Sequence, residues 1–180
     1  LTRRGSPLAL ADETDSGESL VVIGGNPRDA LSVRQRSGNG PFTTRDRSIF
    51  TPGPVDDGPV LLFDANGDDR PDLLVTKGGS ALPAGAREYQ PRLFLNDGHG
   101  GFQAAPAGSL PSLPISAGAA AAADFNHDGR LDLFIGGRVE PGLYPLAPRS
   151  ALLVNRGGKF EDVTDTLAPG LRTVGMVTAA

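Results

Sequence analysis

Two nine-residue segments of the sequence carry the side chains best suited to chemistry. Both place carboxylate or amide groups at positions 1, 3, 5 and 9: Asp64, Asn66, Asp68 and Asp72 in the first segment, and Asp124, Asn126, Asp128 and Asp132 in the second. Alternate oxygen atoms in a tight loop converge on one point, and Ca²⁺ takes about 6–8 oxygen ligands. We therefore expect each segment to bind one Ca²⁺ through these side chains, the backbone carbonyl of position 7 (Arg70 or Arg130) and water.

Several alternatives to a calcium site have to be weighed. Three carboxylates in one loop repel one another unless a cation lies between them, so the charge density of each segment favours a metal. Mg²⁺ fits less well because it prefers a small octahedron with several retained waters. An EF-hand needs flanking helices and an acidic residue at position 12, where the chain has Val75 and Ile135. Asp, Asn and Gly also form metal-free turns, but two copies in one register favour the metal site.

A degenerate copy precedes these two segments. It lacks two of the three carboxylates, because its positions 1, 3, 5 and 9 are Asp12, Thr14, Ser16 and Leu20. The three copies begin at positions 12, 64 and 124, so they are 52 and 60 residues apart. We expect calcium binding to be weak or absent in the first copy, which leaves two Ca²⁺ sites.

Short strands must position each acidic segment. An apolar run follows each copy, and after a variable loop comes a pattern of strand, glycine turn and strand, as in 93–102 and 152–160. Asn-Asp-Gly and Gly-Gly in these turns supply the positive φ angles that tight hairpins need. The repeat is therefore a four-stranded antiparallel unit, with variable loops at about 79–91 and 138–150.

Radial repetition of such a unit gives the blades of a β-propeller, whereas stacked solenoids usually have shorter periods. The alanine-rich segment 117–123 suits the innermost strand of a blade, where large side chains cannot fit. A short helix is the alternative for this segment, because alanine favours helices. The predicted fold is all-β, with about three four-stranded antiparallel blades.

Side-chain directions follow from the period of two in a strand. The pairs expected to share a face are Leu73 with Val75 and Leu133 with Ile135, opposite Leu74 and Phe134 respectively. Both faces are apolar, as expected for a blade packed between two neighbours. Phe102 and Phe160 follow the glycine turns and should occupy equivalent positions in successive units.

Composition agrees with short strands and excludes several classes of protein. The 180 residues include 25 Gly and 16 Pro, each of which costs roughly 1–3 kcal/mol inside a helix. The net charge of −4 leaves no basic excess for a nucleic acid backbone, and the absence of cysteine excludes disulfides and thiolate metal sites. No apolar run approaches the roughly 18 residues that indicate a membrane span.

The segment 124–132 fits the pattern DxNxDGxxD at every position, whereas 64–72 departs from it at position 6, where Asp69 replaces Gly. On these segments the repeats resemble FG-GAP/VCBS-type propeller repeats, found in integrin α-subunit heads and in many secreted bacterial proteins. The stretch 136–145, together with 149–150 and 175–178, looks more particularly like proteins resembling acidic cartilage protein that often carry an ASPIC/UnbV segment. The resemblance covers about 58–180 and implies a seven-bladed or similar, calcium-stabilised, secreted propeller acting in binding or adhesion.

The expected function is therefore a calcium-rigidified, non-enzymatic interaction or adhesion scaffold, outside the cell, in the periplasm or at the cell surface. The alternative is a carbohydrate-binding module or a polysaccharide-active enzyme domain built on a propeller. Candidate residues for that alternative lie in the two variable loops: Tyr144, Arg138, Arg149 and Glu140 in one, and Tyr89, Arg87 and Glu88 in the other. No catalytic residue is expected, because no nucleophile pattern is present and both His99 and His127 should face solvent.

Counting strands predicts an incomplete ring. The units are expected at about 7–57, 58–114 and 115–170, with 171–180 as the first strand of a further blade. The expected partners are the remaining blades of the same parent chain and an unidentified protein or glycan ligand, with neither nucleic acid nor a membrane span. Three blades alone would leave apolar sheet faces uncovered at both ends.

Overall fold

The computed structural model describes residues 7–13, 17–44 and 49–180. In these ranges, three antiparallel sheets of four strands each follow one another along the chain, and the strands of each sheet lie in chain order. The first sheet contains β1 (Leu8–Glu13), β2 (Glu18–Ile23), β3 (Ser32–Ser37) and β4 (Thr43–Thr44). The second contains β5 (Asp56–Phe63), β6 (Asp72–Gly78), β7 (Arg92–Asn96) and β8 (Phe102–Ala104). The third contains β9 (Ala117–Ala123), β10 (Asp132–Gly137), β11 (Ala151–Asn155) and β12 (Phe160–Asp162).

This meander order separates the loops into two groups. The turn between the first and second strands lies at the same end of a sheet as the hairpin between the third and fourth strands. The acidic segments 64–72 and 124–132 are turns of the first kind, so each faces the glycine hairpin of its own sheet. The variable loops join the second and third strands and lie at the opposite end of the sheets.

The first strands of neighbouring sheets lie next to one another, since β1 contacts β5 and β5 contacts β9. A parallel bridge between Lys77 and Ser116 adds a direct backbone link between the second and third sheets. The alanine-rich segment is strand β9, as predicted, rather than a helix. Its residues from Ala119 to Ala123 pair with β10 in continuous antiparallel register, so tertiary pairing outweighs the helix propensity of alanine.

The apolar side chains form two cores, one on each side of the second sheet. The core against the first sheet contains Leu73 and Val75 of β6. The core against the third sheet contains Leu74 of β6 together with Leu133 and Ile135 of β10. The predicted faces of β6 and β10 are therefore confirmed, and β6 is apolar on both faces because it packs on both neighbours.

Phe102 and Phe160 occupy equivalent positions in successive sheets, as predicted. Phe102 opens β8 opposite Asn96, and Phe160 opens β12 opposite Asn155. Phe160 packs edge-on against Phe63 of the second sheet, with 6.2 Å between ring centroids. Each of these rings thus belongs to the core between its own sheet and the preceding one.

The chain beyond β12 is mostly irregular. A short helix, α1 (Thr164–Leu167), is followed by a 3-10 helix (Pro169–Thr173), and 174–180 form no strand. The Val177 N–H nevertheless donates to the Gly137 carbonyl at 2.8 Å. The predicted strand of a further blade is therefore absent from this segment, which instead lies against the third sheet.

The outer face of the first sheet is open. Leu8 and Leu10 of β1 are 59% and 69% exposed, whereas Leu20 and Val22 on the inner face of β2 are completely buried. Within the described ranges, no helix has the length and apolar character that a membrane span needs.

Candidate functional site

The acidic loop 64–72 is built around its first aspartate. One oxygen of Asp64 accepts hydrogen bonds from the backbone N–H groups of Asn66, Gly67 and Asp68, and the other accepts from Asp69 at 2.8 Å. The Asp68 N–H also donates to the side-chain oxygen of Asn66 at 3.0 Å. Oxygen atoms from positions 1 and 3 therefore converge on the backbone nitrogen of position 5.

The acidic loop 124–132 repeats this arrangement. The N–H of Asp128 donates to Asp124 at 3.1 Å and to the side-chain oxygen of Asn126 at 2.9 Å. The N–H of Gly129 donates to the second oxygen of Asp124 at 2.9 Å. The predicted residues of positions 1, 3 and 5 are thus brought together in the same way in both loops.

Two positions of each loop have positive φ. Position 4 is Gly67 (φ 86°) in one loop and His127 (φ 60°) in the other, and position 6 is Asp69 (φ 62°) or Gly129 (φ 83°). This left-handed region is unfavourable for residues with a Cβ. At these two positions, each loop therefore has one glycine, which adopts a positive φ easily, and one non-glycine residue whose backbone is strained. The departure of Asp69 from the repeat pattern leaves the backbone path unchanged.

Position 9 is buried in both loops and braces the backbone. The two oxygens of Asp72 accept hydrogen bonds from Ala65 N–H at 3.0 Å and Asn96 N–H at 2.8 Å. Asp132 accepts equivalent bonds from Phe125 at 3.3 Å and Asn155 at 2.8 Å. Each of these aspartates thus ties its loop to the end of the third strand in its own sheet.

The environment of Asp72 raises its pKa to about 6. Desolvation by burial is the largest cause, and the nearby carboxylates of Asp68 and Asp64 add to it. The hydrogen bonds from Asn96 and Ala65 oppose the rise because they stabilise the charged form. A bound cation would favour the ionised form of this carboxyl group.

The side chain of position 7 places a guanidinium group beside the carboxylate of position 5 in both loops. Arg70 contacts Asp68 at 2.7 Å and Arg130 contacts Asp128 at 2.6 Å. Desolvation raises the pKa of Asp128, but the hydrogen bonds from Arg130 and Asn126 lower it by more, so the net shift is downward. In this arrangement, the carboxylate that we predicted as a cation ligand forms an ion pair with the arginine instead.

The donor chemistry of the loops suits Ca²⁺, because every predicted ligand is a carboxylate, amide or backbone oxygen. In the described ranges, however, no three acidic or histidine side chains are arranged so that they could hold a metal ion. A carboxylate has about four lone-pair sites, so the oxygens of Asp72 and Asp132 keep acceptor capacity beyond their two N–H partners. The calcium assignment stays a prediction.

Sequence reasoning missed two asparagines at the ends of the third strands. Asn155 is 2% exposed, and its amide donates to Leu131 in its own sheet and to Ala65 in the preceding sheet. Asn96 donates to Pro71 at 3.3 Å. A signal is present in the sequence, since both asparagines precede a glycine hairpin at the same place in the repeat. That position predicts a turn residue, and it does not reveal the contacts across the sheet.

The degenerate first copy differs in its backbone. The ladder of β1 and β2 continues past Asp12, which pairs with Ser19, to Glu13 and Glu18. Leu20 takes the place of the buried aspartate and is fully buried in the core. Thr14 and Ser16 lie outside the described residues, as does the side chain of Asp12.

The candidate residues for sugar binding in the variable loops differ in their exposure to solvent. Tyr89 is completely buried, and its hydroxyl bonds to the backbone of Leu82, so this candidate side chain is not accessible to a sugar in this structure. The hydroxyl satisfies the backbone of a long loop that would otherwise bury unpaired polar groups. Arg149 pairs with Asp162 at 2.7 Å. Tyr144, by contrast, is 76% exposed.

The remaining candidates of these loops are at least partly accessible. Arg138 and Glu140 are half-buried, and Arg87 is paired with Glu88 at 3.3 Å on the wall of an open groove. A second groove of about 550 Å³ lies between 80–84 and 141–143. Both histidines face solvent as predicted, since His99 and His127 are exposed.

Comparison with known proteins gives a family match to one part of the chain. The family model described as FG-GAP-like repeat matches residues 83–135, and no curated protein matches the chain. The matched range begins in the variable loop of the second sheet, includes the loop 124–132 and ends in β10. The matched range thus covers the second half of the second sheet and most of the first half of the third, and residues 83–135 match an FG-GAP-like repeat.

Proposed function

We propose that this chain is a calcium-stabilised, non-enzymatic interaction or adhesion scaffold whose sheets are the blades of a β-propeller. It would act outside the cell, in the periplasm or at the cell surface. Extracellular modules bind Ca²⁺ with Kd values of about 10⁻⁴–10⁻³ M, so modest sites suffice where calcium is abundant. The finer resemblance to proteins similar to acidic cartilage protein belongs to the same proposal.

One observation carries the proposal. The loops 64–72 and 124–132 hold oxygen donors at positions 1, 3 and 5 in the same hydrogen-bonded arrangement, at the same place in adjacent sheets. The second of these loops lies inside the FG-GAP-like repeat. The proposed ligands are Asp64, Asn66, Asp68, the Arg70 carbonyl and Asp72 in one loop, and Asp124, Asn126, Asp128, the Arg130 carbonyl and Asp132 in the other.

Calorimetric titration of Ca²⁺ into chelator-treated protein tests the proposal. We expect two sites in the wild type and one in Asp124→Ala, and equal concentrations of Mg²⁺ should compete poorly. Saturation with calcium at 100 times Kd should stabilise the fold by about 2.7 kcal/mol. Asp165→Asn is the matched control, because it removes a carboxylate of α1 outside both loops. Absence of binding heat together with an unchanged Tm in chelator would refute the calcium sites.

A second candidate function, glycan binding, is favoured by the exposed ring of Tyr144. Tyr144 follows Leu143, which lines the groove between 80–84 and 141–143, and the face of an exposed aromatic ring can stack on a sugar. Binding to a glycan array at fixed calcium, compared between wild type and Tyr144→Ala, tests it. A signal lost in the variant supports this function, and the absence of any glycan signal in the wild type eliminates it.

A further inference from the structure

The acidic loop 64–72 is completed by a residue from the next sheet. The Asn155 side-chain amide donates to the Ala65 carbonyl at 2.9 Å, across 90 residues of chain and entirely within the protein interior. Ala65 is position 2 of that loop and is itself completely buried. The backbone next to Asp64 therefore depends on a side chain that its own sheet does not supply.

The same asparagine also holds the other acidic loop. Its amide donates a second bond to the Leu131 carbonyl at 3.1 Å, and its backbone N–H donates to Asp132 at 2.8 Å. The Arg130 Nε donates to the Asn155 carbonyl at 3.0 Å. Positions 7, 8 and 9 of loop 124–132 thus all contact one residue, whose side chain also contacts position 2 of loop 64–72.

The hairpin of the third sheet fixes the orientation of this amide. The Gly158 N–H donates to the Asn155 side-chain oxygen at 2.8 Å, which leaves the amide N–H groups directed at the two loops. Gly158 itself has φ of 84° and lies against Asn66, where an added Cβ would be 3.6 Å from the Asn66 Cβ. The hydrogen bonds of Asn155 therefore join the backbone of loop 124–132 to the backbone of loop 64–72.

We propose that Asn155 is a positioning residue that couples the two acidic loops, so that a cation in loop 124–132 raises the cation affinity of loop 64–72. This inference rests on the proposed calcium binding. The coupling arises because ordering one loop removes part of the conformational entropy that ordering the other would lose. It is reciprocal, as linkage requires.

A mutant cycle tests the coupling. The Ca²⁺ affinity of loop 64–72 is measured by titration calorimetry with loop 124–132 intact and with it disabled by Asp124→Ala. We expect the affinity to fall roughly fivefold in Asp124→Ala, within the usual range of coupling. With Asn155→Ala already present, Asp124→Ala should cause no further fall. Asn155→Ser, which keeps one hydroxyl donor, should restore part of the coupling and serves if the alanine variant is unstable.

A measurement without calcium separates the inference from the proposed function. In chelator, Asn155→Ala should accelerate amide hydrogen exchange at residues 65–69, although the substitution is in another sheet. The control is Arg156→Ala on the same hairpin, whose guanidinium contacts Glu161, and it should leave this exchange unchanged. If the wild type binds no calcium, the proposed function and the coupling both fail. If calcium binds to both loops but Asp124→Ala leaves the affinity of loop 64–72 unchanged, the coupling alone is overturned.

Discussion

Ala65 and Phe125 occupy position 2 of the two acidic loops, yet Ala65 is completely buried whereas Phe125 is half-buried. The loops have the same donors, the same positive φ positions and the same brace at position 9. They differ because Asn155 and Gly158 of the third sheet lie on the loop 64–72. Equal sequence motifs therefore differ in solvent exposure at position 2, where loop 64–72 has the third sheet as a neighbour.

The largest expected difference between the loops is the loss of stability when the buried aspartate of position 9, Asp72 or Asp132, is replaced. Asp72→Ala leaves the N–H groups of Ala65 and Asn96 without an acceptor, and each buried unsatisfied donor costs about 1–3 kcal/mol. We expect a loss of about 3 kcal/mol for Asp72→Ala in chelator. Asp132→Ala should cost about 1 kcal/mol less, because water can reach the half-buried Phe125. Urea unfolding of both variants measures this difference, and equal losses would show that the covering hairpin does not matter.

The second difference appears in the pH dependence of stability. The pKa of Asp72 is about 6 in the folded, calcium-free protein and about 3.9 in an unfolded chain. The folded state therefore binds a proton in this interval that the unfolded state does not, and the free energy of unfolding rises as pH falls from about 7 to about 4.

Asp72→Asn should flatten this rise, because asparagine does not titrate. The comparison is made by urea unfolding in chelator at several pH values between about 4 and about 7. A wild-type profile that parallels the variant across this interval would contradict the raised pKa.

The third comparison concerns positions 4 and 6, which have positive φ in both loops. Glycine stands at position 4 of the first loop and at position 6 of the second. Gly67 and Gly129 have positive φ, and an added Cβ at either position would meet no neighbouring atom, so backbone conformation alone opposes a side chain there. Gly67→Ala and Gly129→Ala should each destabilise the protein by about 1 kcal/mol. Gly170→Ala is the control, since Gly170 also has open space but no positive φ. Thermal unfolding distinguishes them, and equal Tm values for all three variants would refute the argument.

The smallest expected effect distinguishes the two arginines. Arg70 and Arg130 each pair with position 5, but Arg130 also donates to the Asn155 carbonyl. Exposed ion pairs contribute about 0–1 kcal/mol, so Arg70→Gln should change stability by less than about 0.5 kcal/mol, whereas Arg130→Gln should cost about 1 kcal/mol. Arg70→Gln should also strengthen calcium binding, because it frees the Asp68 carboxylate. Weaker binding in Arg70→Gln would show that the arginine helps to form the site.

The sequence alone predicted much of the fold and of the local loop geometry. Three four-stranded units, the strand at 117–123, the faces of Leu73 and Leu74 and the equivalence of Phe102 and Phe160 follow from strand periodicity and from the repeats. These features depend on neighbours in the same strand or hairpin, so a local pattern contains the information. The convergence of positions 1 and 3 on position 5 is equally local.

Only the tertiary structure decided what lies across a sheet boundary. The candidate Tyr89 lies at the end of a variable loop, yet it is completely buried and its hydroxyl bonds to both backbone groups of Leu82. The turn residue Asn155 contacts Ala65, 90 positions away. The burial that raises the pKa of Asp72 likewise depends on how sheets stack. Spacing along the chain determines which donors a loop offers, whereas solvation and long-range hydrogen bonds depend on which other segments cover it.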